Sequence, residues 1–265
     1  MEKVKYKIGI IGGGAMGGSL VEGLLGKRVV SPSDIIVSDP LSNKLVGIRD
    51  LEISVIDNNK EVASNVNFLV VAVKPWLVKE VIEEIKDKLD PEKTEICFIV
   101  AGVSGSEIYQ LLGYDNSLVM SIVIPNTAMS LGKSMSFLVR VNGNPVKALD
   151  IFGKVGKVME IEERLLPGAT ALASCGMAYA MRYVRAACEG GVELGFKASA
   201  AQEIVTQTLA GAVALLEQSG SHPELEIDKV TTPGGITIKG LNAMEKAGFT
   251  NAVISGLKAS VQDRK

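Results

Sequence analysis

Residues 7–17 read KIGIIGGGAMG, an apolar run broken at Gly12, Gly14 and Gly17 that gives way at once to helix-forming residues. Few patterns restrict a fold so narrowly. A G-x-G-x-x-G turn between a buried strand and a helix needs a sharp bend at Gly12, a bare backbone at Gly14, and a helix pressed close to the strand at Gly17. Free N–H groups at such a helix start meet a pyrophosphate without help from basic side chains. The segment is therefore expected to hold an NAD-type dinucleotide through Gly12, Gly14, Ala15, Met16 and Gly17.

The first half of the chain extends that expectation. Short β-rich runs at 7–11, 35–38, 68–73, 96–100 and 118–123 alternate with helical patterns at 15–25, 60–64, 75–89 and 104–112, as in a parallel sheet with crossover helices. Pro75 suits a first helical turn. Runs at 134–139 and 157–161 extend the sheet, with a helix at 145–152 between them. The fold class is α/β, with a Rossmann-type doubly wound sheet over residues 1–162 followed by an all-α domain over 163–265. In the second domain helices are expected at 169–194, 198–218, 223–231, 235–246 and 250–262. The first two are long, poor in charge and apolar nearly all round, so each must be covered on more than one side. A homodimer that interlocks through these helices meets that need; a bundle closed within one chain is the alternative.

Other cofactor contacts follow from where strands end. Asp39 closes the second strand, where a carboxylate accepts from adenosine ribose hydroxyls and repels a 2′-phosphate. That favours NADH over NADPH, whereas Ser42, Asn43 and Lys44 could cradle the extra phosphate. Ala72, Val73, Lys74 and Pro75, and then Ala101 and Gly102, stand at the carboxyl edge of the sheet, where the nicotinamide half would lie. Asn58 or Asn59, before a short helix, either bonds a ribose or caps that helix.

Several function classes are excluded by composition. Lys plus Arg number 28 against 30 Asp plus Glu, a net charge of −2, so nucleic acid is not an expected partner. The N-terminus shows no signal-peptide core. No apolar run suits a membrane span, since the small-residue stretch 169–187 is interrupted by Arg182 and Arg185. Cys97, Cys175 and Cys188 are too scattered for a metal site or a disulfide framework, which points to a reducing cytoplasm.

Two further segments look built for chemistry. Pro125-Asn126-Thr127 follows a strand, and residues 231–238 read TTPGGITI. Pro-Gly-Gly opening a helix exposes successive backbone N–H groups, a seat for a small carboxylate that needs no cation.

Taken together these residues resemble the pyrroline-5-carboxylate reductase family over essentially the whole chain. The likeness is carried by I-G-G-G-A-M-G at 11–17, A-V-K-P at 72–75, P-N-T at 125–127, His222-Pro223, T-T-P-G-G-I-T-I-K-G-L at 231–241, and Glu245, Gly248 and Phe249. The resemblance implies reduction of 1-pyrroline-5-carboxylate to L-proline by hydride transfer from NADH or NADPH. It also implies a helical domain that interlocks two subunits, a dimer that completes each active site, and further assembly in some members. By the family pattern Thr237 hydrogen-bonds the ring nitrogen, and Pro233, Gly234, Gly235 and Ile236, with Asn126 and Thr127, line the substrate site. The single histidine, His222, precedes a helix in a His-Pro pair and suits a capping role better than acid catalysis.

Two departures from the family stand out. Ala173-Ser174-Cys175-Gly176-Met177-Ala178-Tyr179 replaces the family's Gly-Ser-Gly-Pro-Ala-Tyr turn, and Ser121-Ile122-Val123-Ile124 stands where Arg-x-Met-Pro is frequent. They leave two alternatives in view: a reductase of another small cyclic imine or carbonyl acid, and a non-catalytic NAD(P) sensor.

Overall fold

A computed structural model describes residues 6–40, 50–113 and 117–261. Its contacts divide into two compact units, Met1–Ser174 and Cys175–Lys265.

The first unit is a single eight-stranded sheet in the order β3-β2-β1-β4-β5-β6-β7-β8. Strands β1 (Tyr6–Ile11), β2 (Ile35–Ser38), β3 (Ser54–Ile56), β4 (Val66–Val71), β5 (Glu95–Phe98) and β6 (Val119–Ile124) run parallel. β7 (Ser134–Asn142) turns back antiparallel to β6, and β8 (Gly156–Glu160) pairs parallel to β7. Helices α1 (Ala15–Gly26), α2 (Asn59–Ser64), α3 (Val78–Ile85), α4 (Gly105–Leu112) and α5 (Val146–Lys154) supply the connections. This is the doubly wound sheet expected from the alternating pattern.

Period-two alternation fills both faces. On β1, Ile8 and Ile10 enter one buried cluster with Leu20, Val21 and Leu24 of α1. Ile11 enters the other, with Val62 of α2 and Val78, Ile82 and Ile85 of α3. β4 repeats the division: Phe68 and Val70 face α1, and Leu69 and Val71 face α3. Cys97 is fully buried on β5, and that burial pushes its thiol pKa up.

The structure corrects three sequence expectations. Strand β3 was not expected, because three half-buried residues carry no alternation to detect. The helix expected over 75–89 is an α-helix only at Val78–Ile85, with 3-10 turns at Pro75–Leu77 and Lys86–Lys88 on either side. The long helix expected from 169 is helix α6 (Leu166–Thr170), a π segment (Ala171–Cys175) and helix α7 (Gly176–Glu193). Apart from Leu172 the side chains through 171–176 are small, and the helix turn widens where a proline would have set a helix start.

Composition becomes helical at 163, yet the compact first unit runs on to Ser174. Leu166 packs against the sheet core, Ala169 and Ala171 are buried, and Glu163 Oε1 accepts from Gly105 N at 2.9 Å. The second unit then comprises α7, α8 (Ala198–Ser219), α9 (Pro223–Lys229), α10 (Ile236–Lys246) and α11 (Phe249–Ala259). Among the described residues, no helix is long and apolar enough to cross a membrane.

One buried carboxylate joins distant parts of the first unit. Helix α5 begins at Pro145, which offers no side-chain cap. Glu95 of β5 supplies it, accepting from Lys147 N at 2.9 Å and Ala148 N at 2.6 Å. Lys147 Nζ in turn donates to the carbonyls of Asn67 and Lys93, both at 2.9 Å. Desolvation pulls its pKa below the usual lysine range, against the Glu95 charge, which raises it. Glu95→Ala strands two amides at a buried helix start, so it is expected to lower stability by about 2–3 kcal/mol. Chemical denaturation reads this directly, and an unchanged midpoint would show that water replaces the carboxylate without loss.

Candidate functional site

The glycine loop lies where β1 hands over to α1. Gly12 has φ +101°, and a Cβ there would stand 2.6 Å from the Ala72 carbonyl oxygen. Glycine is thus required both by conformation and by the close approach of β4. At Gly17 a Cβ would fall 2.0 Å from the Gly12 oxygen, so helix and loop meet backbone to backbone. Gly14, the N-cap of α1, is different. Its backbone is extended, with φ −66° and ψ −161°, it lacks a side-chain cap, and nothing lies within 4 Å of its Cβ position. Open backbone at a helix N-terminus with no acidic residue in the first turn is a receptor for phosphate oxygens.

A cleft of about 480 Å³ opens beside this loop. Its wall includes Gly12, Gly14, Ala15 and Met16 from the loop and α1, Asp39 after β2, and Ala72, Val73 and Lys74 after β4. Asp39 Oδ2 accepts from Gly13 N at 2.9 Å, which ties the carboxylate to the glycine loop. Lys74 is exposed and precedes the Pro75–Leu77 turn. Ser42, Asn43 and Lys44 lie outside the described residues.

Some expected cofactor residues stand elsewhere. Gly17 and Pro75 shape the backbone and do not line the cleft. Asn58 caps α2, its Oδ1 accepting from Glu61 N at 3.0 Å, and it is its neighbour Asn59 that reaches the cleft. Because β5 ends at Phe98, Ile99 is the residue at the strand's carboxyl end that lines the cleft. Ala101 and Gly102 follow in the loop toward α4, outside that lining. Sequence reasoning also passed over Leu77, Glu80, Val81 and Glu84. Their signal is helical spacing: positions 80, 81 and 84 share one side of α3, and Leu77, its N-cap, continues the same spacing.

Asn126 is buried and engaged. Its Oδ1 caps the Thr127–Leu131 turn through Ala128 N at 3.1 Å, and its Nδ2 donates to the Ala173 carbonyl at 3.2 Å. It thereby ties this turn to the π segment, while Thr127 stays exposed.

In the second unit, residues 231–235 form a turn closed by Gly235 N donating to Thr232 O at 2.9 Å. Gly234 has φ +69°, and Gly235 is the N-cap of α10 with no side-chain cap. The first turn of α10 holds no acidic residue to compete for an anion. Pro233, Gly234, Ile236 and Thr237 are exposed here, and among the described residues no partner takes the Thr237 hydroxyl. None of residues 231–238 titrates near neutral pH. His222 caps α9, its Nδ1 accepting from Glu224 N at 3.3 Å.

Comparison with known proteins places both units. Residues 163–265 match the family described as pyrroline-5-carboxylate reductase dimerisation, and residues 7–97 match NADP oxidoreductase, coenzyme F420-dependent. Pyrroline-5-carboxylate reductase 2 of Dictyostelium discoideum is 32% identical, covering 98% of this chain and 92% of that protein. The pyrroline-5-carboxylate reductase of Arabidopsis thaliana is 30% identical over 96% of this chain and 94% of its own length. Among solved structures, the Plasmodium falciparum pyrroline carboxylate reductase with NADP bound superposes with a TM-score of 0.86 at 25% identity, over 98% and 97% of the two chains. The Coxiella burnetii pyrroline-5-carboxylate reductase gives 0.85 at 27% identity, over 97% and 96%.

The glycine geometry separates folding from binding. Gly14→Ala meets no neighbour, so the thermal midpoint of the ligand-free protein should stay within about a degree. NADH affinity should fall at least about tenfold as the methyl group occupies the anion seat. Gly17→Ala should lower both. Wild-type NADH affinity in Gly14→Ala, measured by fluorescence titration, would remove the loop from the binding site.

Proposed function

Because the chain belongs to the pyrroline-5-carboxylate reductase family, we infer that it reduces 1-pyrroline-5-carboxylate to L-proline, the last step of proline biosynthesis. The observation that carries this reading is 30–32% identity over 96–98% of the chain to reductases of that name, joined to an open glycine cradle at the head of α1.

The reduced nicotinamide, when bound, supplies the hydride. The C=N carbon of the ring gains it, the π pair settles on nitrogen, and the proton of the iminium stays there as N–H. A cyclic imine protonated on binding is already electrophilic, so the protein needs no strong general acid, in keeping with the non-titrating residues 231–238. In our reading Gly12–Gly17 and the amides of α1 hold the pyrophosphate, and Asp39 accepts from the adenosine ribose. Ala72, Val73 and Lys74 border the nicotinamide half. The Gly235 amide is taken up in closing the turn on Thr232 O, so the amides of Gly234 and the first turn of α10, with Pro233 and Ile236 beside them, seat the substrate carboxylate. The Thr237 hydroxyl hydrogen-bonds the ring nitrogen.

We read the cofactor as NADH in preference to NADPH. The support is electrostatic: Asp39, Glu80 and Glu84 all line the cleft, and carboxylates there oppose a 2′-phosphate. Residues 163–265 form the dimerisation and substrate-binding domain of a homodimer. A cytoplasmic setting accords with free thiols at Cys97, Cys175 and Cys188.

Proline formation from pyrroline-5-carboxylate, run side by side with NADH and NADPH, tests the reading. Higher kcat/KM with NADH is the expected result, and a preference for another cyclic imine would overturn the substrate assignment. Thr237→Ala should slow turnover by roughly 10- to 1000-fold while leaving cofactor affinity intact. Unchanged steady-state kinetics would remove Thr237 from the site.

A further inference from the structure

Asn59 and Glu84 are 25 residues apart in sequence and meet across the cleft wall. Asn59 Nδ2 donates to Glu84 Oε2 at 2.7 Å, joining the head of α2 to the last turn of α3. Both side chains are half-buried and both line the cleft. Neither is needed where it stands to hold its own helix. The N-cap of α2 is already Asn58, and α3 is anchored by Val78, Val81, Ile82 and Ile85 in the core.

The chemistry of this contact fixes an orientation. A carboxylate can only accept, so the amide must turn its NH2 toward Glu84. The carbonyl oxygen, on the other side of the same planar group, is then directed away from Glu84 with its lone pairs available. Without that tether the terminal amide torsion is soft and roughly two-fold, so donor and acceptor would exchange places.

The surroundings say which part of the dinucleotide lies here. Asp39, at the carboxyl end of β2, marks the adenosine ribose in a doubly wound sheet, and Asp39 and Pro40 share the cleft with Asn59. Leu77 and Val81 give the same wall an apolar surface suited to the face of a base.

We propose that Glu84 is a positioning residue for the adenosine half of the cofactor, holding Asn59 so that its side-chain oxygen accepts a hydrogen bond from adenosine. The proposal rests on the reading that this cleft takes a nicotinamide dinucleotide. A pre-set acceptor avoids the ordering that a free asparagine would undergo on binding. Glu84 acts through Asn59 and does not touch the reacting atoms, so its effect falls on cofactor affinity and KM, away from the hydride-transfer step.

Direct binding of ADP-ribose, which lacks nicotinamide, isolates the adenosine half. By calorimetry, E84A should weaken ADP-ribose about five- to twentyfold, and E84Q, whose side-chain oxygen can accept the same N–H, should restore most of it. N59A should match E84A, and the double variant should be no weaker than N59A alone, because both changes remove one unit. In steady state E84A should raise KM for NADH far more than it lowers kcat. Wild-type ADP-ribose affinity in E84A or in N59A, or additive losses in the double variant, would overturn the proposal. If E84A unfolds, E84Q and N59A still decide: unequal ADP-ribose affinities for these two support the tether, and equal ones refute it. A wild-type protein that binds neither ADP-ribose nor NADH would overturn the reading of the cleft itself, a result distinct from loss of the tether alone.

Discussion

Gly12 sits where three strands are pinned together by backbone alone. Its N–H donates to Ser38 O of β2 at 2.8 Å, and beside it Ala72 N donates to Ile11 O at 2.8 Å, tying β1 to the end of β4. The Ala72 carbonyl then approaches so closely that no Cβ fits at Gly12. Everything at the cleft follows from that crowding. Strands β2, β1 and β4 end level with one another, α1 starts at the mouth, and Gly17 presses its helix onto the loop it left. A bulkier loop would push α1 outward and carry its free amides away from the place where β2 delivers Asp39. The link from Asp39 Oδ2 to Gly13 N shows the two features built as one piece.

That local origin explains why so much of the first unit was legible in sequence. The strand, the glycine turn and α1 are dictated by residue types in direct succession, and the two-faced alternation of β1, β4 and β5 is written in order along the chain. What escaped was decided by partners far away. Either Asn58 or Asn59 satisfies the N-cap preference, and only the carboxylate of Glu84 across the cleft separates their roles. Glu95 reads as a polar residue at a strand start, yet it caps a helix 52 residues on. The π segment at Ala171–Cys175 has its Ala173 carbonyl matched by Asn126, 47 residues earlier. Strand β3 is recruited by pairing with β2, from Ile36 opposite Ser54 to Ser38 opposite Ile56, and three half-buried residues carry too little pattern to announce it.

The loops that open α1 and α10 are built alike. Each opens a helix with glycine at the N-cap, Gly14 for α1 and Gly235 for α10, and each leaves its first-turn amides without a side-chain cap or an acidic neighbour. An anion is thus met by dipoles fixed in the backbone, at no cost in burying a cation. Specificity must then come from the side chains around the seat. At the dinucleotide cleft these are largely acceptors, which suit hydroxyl and amino donors; at the second loop the exposed Thr237 hydroxyl is the one polar side chain on the first turn of α10.

The helical unit raises the opposite question, since its stability cannot be found within one chain. Among described residues 175–261, Ala201 alone is buried. Leu194 is 81% exposed, Met181 62% and Leu215 56%, spread over two helices of 18 and 22 residues and the turn between them. Apolar surface on that scale marks an interaction face in a folded protein. Helices this long and this poorly covered gain most of their stability from packing, because propensity alone leaves a helix marginal in water. The match of residues 163–265 to a dimerisation family gives the cover a chemical identity, a second copy of the same chain. An interface of that kind must be self-complementary, and the small residues of α7 and α8, from Ala187 and Gly190 to Ala210 and Gly211, permit the close helix approach it requires. Residues 231–238, with Thr237 among them, lie within that family match.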